Sequence, residues 1–174
     1  MLNILIQRRI WLLMAMGLFV GACGYRFPGA GEIPGGIKTV WIPLFLNRTN
    51  EIGLENTLTN DLTNEFITRR KNALASDEKT AGGVLRGEIV SIFTRTITQT
   101  QAGGTVEREV VVTVDLKLTS ENDQVAWASR GVSARETYDV GANSLEAEVN
   151  RQEALLLLSD RLAEQMYNRL VEDF

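Results

Sequence analysis

The sequence predicts an α+β fold, a two-layer sandwich with two helices packed on one face of a four-stranded, mostly antiparallel sheet. Two apolar stripes with helical spacing flank a central block of strand-like sequence. The first stripe consists of Leu54, Leu58, Leu62 and Phe66. The second consists of Leu155, Leu158, Leu162, Met166 and Leu170. Because residues at such spacings share one helix face, we expect helices over residues 50–71 and from about 143 onwards.

The first strand is expected over residues 37–45, and Pro43 marks its end or an edge position because proline cannot donate to a ladder. A glycine pair at 103–104 then predicts a hairpin with a two-residue turn. This register sets Ile97 opposite Val110, Phe93 opposite Val114 and Ile89 opposite Leu118. All six residues would face the core, which leaves a largely polar outer sheet face. A turn at 120–123 leads to the last strand, over residues 124–138.

Composition restricts the functions open to this chain. With 174 residues it is long enough for one ordinary domain. It has no histidine and one cysteine, which excludes His-based catalysis and internal disulfides. Acidic residues outnumber basic ones by 22 to 18, so nucleic acid is a poor candidate partner. No residue cluster has catalytic or metal-binding spacing, and we expect a binding or assembly component without enzyme activity, metal or cofactor.

The N-terminus has the organisation of a bacterial lipoprotein signal peptide. Arg8 and Arg9 precede an apolar run over residues 10–20, which is too short to span a membrane. Val20-Gly21-Ala22-Cys23 resembles a lipobox, in which the cysteine becomes lipidated. The alternative is a buried cysteine in a plain signal or anchor helix. The residue after the cysteine is Gly24 and not the aspartate that is associated with inner-membrane retention. We therefore expect a lipid anchor in the periplasmic leaflet of the outer membrane.

The predicted organisation is therefore a signal peptide at 1–22, a lipidated tether at 23–36 and one domain at 37–174. Several segments of the mature chain resemble the LptE family of lipopolysaccharide-assembly lipoproteins. They are Cys23-Gly24-Tyr25-Arg26-Phe27, residues 37–43, residues 45–49, the helix from Gly53 to Arg70, and Leu85-Arg86-Gly87-Glu88-Ile89. The resemblance implies two helices on a four-stranded sheet. It also implies a protein that plugs the LptD-type β-barrel and takes part in lipopolysaccharide transport.

The resemblance further implies direct contact between basic residues and lipopolysaccharide. Arg95 and Arg108 are the nearest cations to the hairpin tip, and arginine pairs well with phosphate groups. The alternative is a cross-strand salt bridge to Glu107 or Glu109. We expect Arg95 on the core-facing side of its strand and Arg108 opposite Gln99. The basic triplet at 69–71 is expected to stabilise the end of the first helix, with an anion site as the alternative.

Two other functions fit the same sequence less well. One is an outer-membrane lipoprotein that activates a periplasmic cell-wall enzyme. The short tether argues against it, because 13 residues, 24–36, reach at most about 45 Å. The other is an enzyme with an uncleaved anchor, which the absence of a catalytic arrangement disfavours.

Overall fold

The computed structural model describes residues 32–99 and 106–172, with side chains at 98 and 99 left aside. Cys23, most of the tether and the predicted Gly103-Gly104 turn lie outside these residues. The elements, in chain order, are β1 (Val40–Trp41), β2 (Leu46–Asn47), α1 (Leu54–Arg70), β3 (Gly83–Gln99), β4 (Val106–Ser120), β5 (Val125–Asp139) and α2 (Ser144–Glu172). The predicted α+β fold with two helices and one mostly antiparallel sheet is confirmed.

The sheet is built around three long antiparallel strands in the order β3-β4-β5. Both β1 and β2 pair with β3 in parallel, at Gly83–Val84 and at Glu88–Ile89. The sequence predicted one strand over 37–45, whereas the structure has two short ones separated by Pro43. A proline cannot continue a ladder, so the chain leaves β3 after Trp41 and returns at Leu46. Phe45 packs between them over Gly87, where a Cβ atom would lie 2.3 Å from its ring.

The predicted hairpin register was wrong. Ile89 pairs with Val114 instead of Leu118, and Phe93 pairs with Val111. The β4 half of the predicted core face is correct, since Val110, Val114 and Leu118 are all fully buried. A bulge between Ile89 and Ser91 reverses the alternation of β3. Ile92 and Thr94 then face the core side, opposite Val112 and Val110.

Hydrogen bonds of an asparagine side chain lie at the start of each helix. α1 begins at Leu54, four residues later than predicted, because Asn47 folds the preceding residues into a loop. The Asn47 side chain donates to the carbonyl of Glu51 and to the carboxylate of Glu55, both at 2.8 Å. At the start of α2, the Asn143 side chain accepts from the backbone N–H groups of Leu145 and Glu146. The predicted start near residue 143 is therefore confirmed.

The core lies between the helices and the inner sheet face, and every residue of the two predicted apolar stripes is buried. Contacts between α1 and α2 advance in the same direction along both helices, so the helices run parallel. Ser159 of α2 donates to Asp61 of α1 at 2.5 Å. Later in both helices, the ring of Phe66 packs edge to face against that of Tyr167. Ile33, which the sequence assigned to the tether, is also buried in this core.

Candidate functional site on the outer sheet face

The outer face of β3 carries an exposed apolar strip that the sequence did not predict. Phe93 and Ile97 were expected in the core, but they are 50% and 45% exposed. Val90, at the bulge, is exposed as well. Since the bulge shifts the alternation by one residue, Phe93 turns outward, and Ile97 lies at a second irregularity of β3, between Thr96 and Thr98. We call Val90, Phe93 and Ile97 the β3 strip.

Arg95 lies on the same outer face as the β3 strip, bonded to Glu109 across the hairpin. Its guanidinium donates to the Glu109 carboxylate at 2.8 Å from Nε and 2.6 Å from Nη2. The Glu109 side chain is only 9% exposed, whereas that of Arg95 is 57% exposed. The expectation of a core-facing Arg95 was wrong, because the bulge also reverses this position. The alternative of a cross-strand salt bridge to Glu109 is the one that the structure contains.

Arg108 lies on the opposite face of the sheet from Arg95. It pairs with Thr96 on β3 and with Tyr138 on β5, and not with Gln99 as predicted. Arg108 has the parity of the buried Val110 and yet is exposed, because it lies near the hairpin end of β4. The two candidate arginines therefore cannot grip one phosphate group from the same face of the sheet.

Around the β3 strip the outer face is polar. Arg135 on β5 is exposed beside Val111, which in turn pairs with Phe93. Further from the hairpin end, Arg48 forms an exposed ion pair with Glu88 at 2.9 Å. The predicted polar character therefore holds for this part of the face, and the β3 strip is the exception. The result is an amphipathic surface that can contact both apolar and charged groups.

The basic triplet at the end of α1 begins with Arg69, which joins the two helices. Arg69 binds Glu65 at 2.6 Å and Glu164 at 2.9 Å, and it stacks over the ring of Tyr167. Burial opposes the charge of Arg69, but the hydrogen bond to Glu164 and the two carboxylates outweigh it and raise the pKa of the guanidinium. Arg69 therefore holds the two helices together, a structural role that the predicted stabilisation of the end of the first helix did not include.

Neither a metal centre nor a membrane-spanning helix is found in the described parts of the chain. Within residues 32–99 and 106–172, no three histidine, cysteine or acidic side chains are placed to hold a metal ion. In the same residues, no helix is long and apolar enough to cross a membrane.

A helix-backed sheet with an exposed amphipathic outer face is typical of a binding or assembly module. The family model described as LptE, lipopolysaccharide-assembly, matches residues 37–170. Since this match covers most of the chain, the protein belongs to the LptE family of lipopolysaccharide-assembly proteins. The resemblance found from the sequence segments is thereby confirmed.

Solved structures of bacterial lipoproteins share the fold at low sequence identity. Lipoprotein B from Nitrosomonas europaea is 14% identical with a TM-score of 0.56, and the match covers 85% of this chain and 90% of that one. A minor lipoprotein from Acinetobacter baumannii is 14% identical with a TM-score of 0.51, covering 78% and 94% respectively. No curated protein sequence matches this chain.

Proposed function

We propose that this protein is an outer-membrane lipoprotein that associates with an LptD-type β-barrel, plugs it, and takes part in moving lipopolysaccharide to the cell surface. The observation that carries the proposal is the family match over residues 37–170. The described domain supports it by leaving one whole sheet face free of helices. We propose Cys23 as the lipidated residue that anchors the chain in the periplasmic leaflet, after removal of residues 1–22.

The point where the chain enters the folded domain supports a partner at the membrane. Ile33 is 3% exposed and belongs to the core, so the free tether runs only from Cys23 to about Glu32. Ten residues reach at most about 35 Å when fully extended. A domain on such a short tether stays close to the membrane surface, which raises its effective concentration towards a barrel in the same membrane.

The character of the outer surface also suits a position inside a barrel. The lumen of an outer-membrane barrel is polar, and the outer sheet face offers charged rows around the small β3 strip. In the described residues some of these charges are paired, as in Arg95 with Glu109 and Arg48 with Glu88. Paired charges lower the desolvation cost of filling a polar space. The domain can thus occupy a lumen without a large apolar interface.

The test of this function is depletion of the protein combined with affinity capture. Tagged, lipidated protein is isolated in mild detergent, and the LptD-type barrel in the eluate is quantified by mass spectrometry. We expect the barrel to be retained near one-to-one. Depletion should leave the barrel misassembled and reduce surface lipopolysaccharide, which raises permeability to large hydrophobic compounds. If no barrel is retained and the surface stays intact, the proposed function fails, and an activator of a periplasmic cell-wall enzyme becomes the favoured alternative.

The two arginines give a narrower prediction about direct lipid contact. We propose that the exposed edges of Arg95 and Arg108 contact lipopolysaccharide phosphates from the two faces of the hairpin. Each substitution, Arg95→Gln or Arg108→Gln, should weaken binding of purified lipopolysaccharide about two- to fivefold, the range of an exposed charge pair. The effects should multiply in the double variant, because residues on opposite faces share no partner.

Arg86→Gln is the matched control for these variants. Arg86 is also an exposed β3 arginine paired with a carboxylate, Glu78 at 3.0 Å, but it lies far from the hairpin end. Its substitution should leave lipopolysaccharide binding unchanged at every salt concentration. Unchanged binding in the Arg95→Gln and Arg108→Gln double variant would mean that both residues have structural roles only.

A further inference from the structure

A second exposed apolar surface lies on the helical layer, where α1 begins beside the first half of α2. Its members are Ile52, Leu145, Val149 and Leu156, which we call the helix ridge. Ile52 is 94% exposed and Leu145 is 74% exposed. The three α2 residues are spaced by four and seven positions and so share one side of the helix. Leu156 and Ile52 line a common groove of about 140 Å³.

The helix ridge is held rigidly, although Ile52 lies in a loop. Glu51 directly precedes Ile52, and Arg151 of α2 binds the Glu51 carboxylate through both terminal nitrogens. That hydrogen-bonded pair raises the pKa of the Arg151 guanidinium, although burial opposes the shift. On the other side, the backbone N–H of Gly53 donates to Glu55, whose pKa is lowered by its own backbone N–H and by Asn47. A loop held in this way on both sides of Ile52 loses little backbone entropy when a partner covers it.

The charges around the helix ridge are acidic. Four carboxylates lie along residues 145–160 of α2, and all four are exposed: Glu146, Glu148, Glu153 and Asp160. Arg151 is the only lysine or arginine in that stretch of sequence, and Glu51 and Glu148 already bind it. The nearest cation in the neighbouring loop, Arg48, is paired with Glu88. The ridge therefore presents apolar contact area inside an uncompensated negative field.

The apolar area and the surrounding carboxylates together restrict which kinds of molecule could cover the helix ridge. An anionic lipid surface or a phosphate-bearing glycolipid would be repelled by the carboxylates. A second copy of the same ridge would bring like charges together. A protein surface that carries apolar side chains bordered by lysine or arginine would match both the shape and the field.

We propose that the helix ridge docks the domain onto a basic, apolar patch in the wall of the partner barrel, while the outer sheet face remains free for lipid. This inference rests on the proposed function. Ile52 and Leu156 are the anchors, because both are exposed apolar side chains that line the same groove. The carboxylates around them set the orientation and favour encounter with a cationic wall.

The test compares three substitutions in the full lipidated chain. Leu156→Arg should lower the amount of LptD-type barrel retained in affinity capture by about tenfold or more, the effect of losing an interface anchor. Leu156→Glu should lower it less, because the added carboxylate still suits a basic wall. Leu157→Arg is the matched control. Leu157 is 61% exposed against 59% for Leu156, but it points about 100° away around the helix, so retention should be unchanged.

Each outcome distinguishes this inference from the function on which it rests. If the wild type retains no barrel, the proposed function fails. If the wild type retains it and Leu156→Arg retains it equally, the helix ridge is not the docking surface. A larger loss with Leu156→Glu than with Leu156→Arg would contradict a basic partner. Loss of purified lipopolysaccharide binding in Leu156→Glu, or a dimer that Leu156→Arg dissociates in sedimentation, would assign the ridge to lipid or to self-association instead.

Discussion

Replacing Leu158 or Leu62 by alanine is expected to lower the free energy of unfolding by about 2–5 kcal/mol each. Both side chains have no exposed surface, and they lie on the buried stripes of α2 and α1. Alanine removes apolar area and leaves a cavity, because the long β strands under the helices restrict collapse around it. Urea unfolding of the mature domain, followed by circular dichroism, measures the loss as a lower midpoint at constant slope.

The neighbouring Leu157 provides the control for this prediction. It differs from Leu158 by one position in the chain but is 61% exposed. Leu157→Ala should therefore change the free energy of unfolding by less than about 0.5 kcal/mol, as for an ordinary surface site. A change that small at both Leu62 and Leu158 would contradict the packing of the two helices onto the sheet.

The helical part of the fold was predictable because its spacing signals are long and local. Leu54, Leu58, Leu62 and Phe66 repeat at four residues with polar residues between them, and all four are buried. The start of α1 was misplaced because the acidic residues near position 51 suggested a first turn. In the structure, Asn47 and the left-handed Gly53 extend the loop to that point instead.

The hairpin shows what a strict period of two cannot give. Position 89 has the predicted inward orientation, and so do the even-numbered β4 residues from 110 to 118. A single unpaired residue at Val90 then reverses the face of the β3 side chains from Ser91 to Thr96, until a second irregularity between Thr96 and Thr98. Nothing in Ile89-Val90-Ser91-Ile92 distinguishes a bulge from a regular strand, because each of these residues suits both. The outward position of Phe93 and the Arg95–Glu109 pair both follow from that one residue, whereas Ile97 lies at the second irregularity.

The helix ridge was missed for a different reason. Leu155, Leu156, Leu157 and Leu158 form one unbroken apolar run, from which the helical spacing assigned Leu155 and Leu158 to the core and gave Leu156 and Leu157 no role. The structure buries the first and the last of them and exposes the middle two. The spacing could not show that the loop before α1 brings the exposed Ile52 beside Leu156, which is what makes the helix ridge.

Replacing Cys23 by serine, with a cleavable signal retained, should release the mature protein completely from the membrane fraction. Each buried acyl CH₂ contributes about 0.8 kcal/mol, and stable attachment needs more than one chain. The proposed lipobox cysteine is the only cysteine available for acylation. In the wild type, mass spectrometry should find a triacylated cysteine at the mature N-terminus, and an intact Met1 terminus in the membrane fraction would contradict the assignment.

The released variant should still bind the same barrel when added to detergent-solubilised outer membranes, because specificity would come from the folded domain. It should need a higher concentration to do so, since the anchor no longer confines both partners to one membrane.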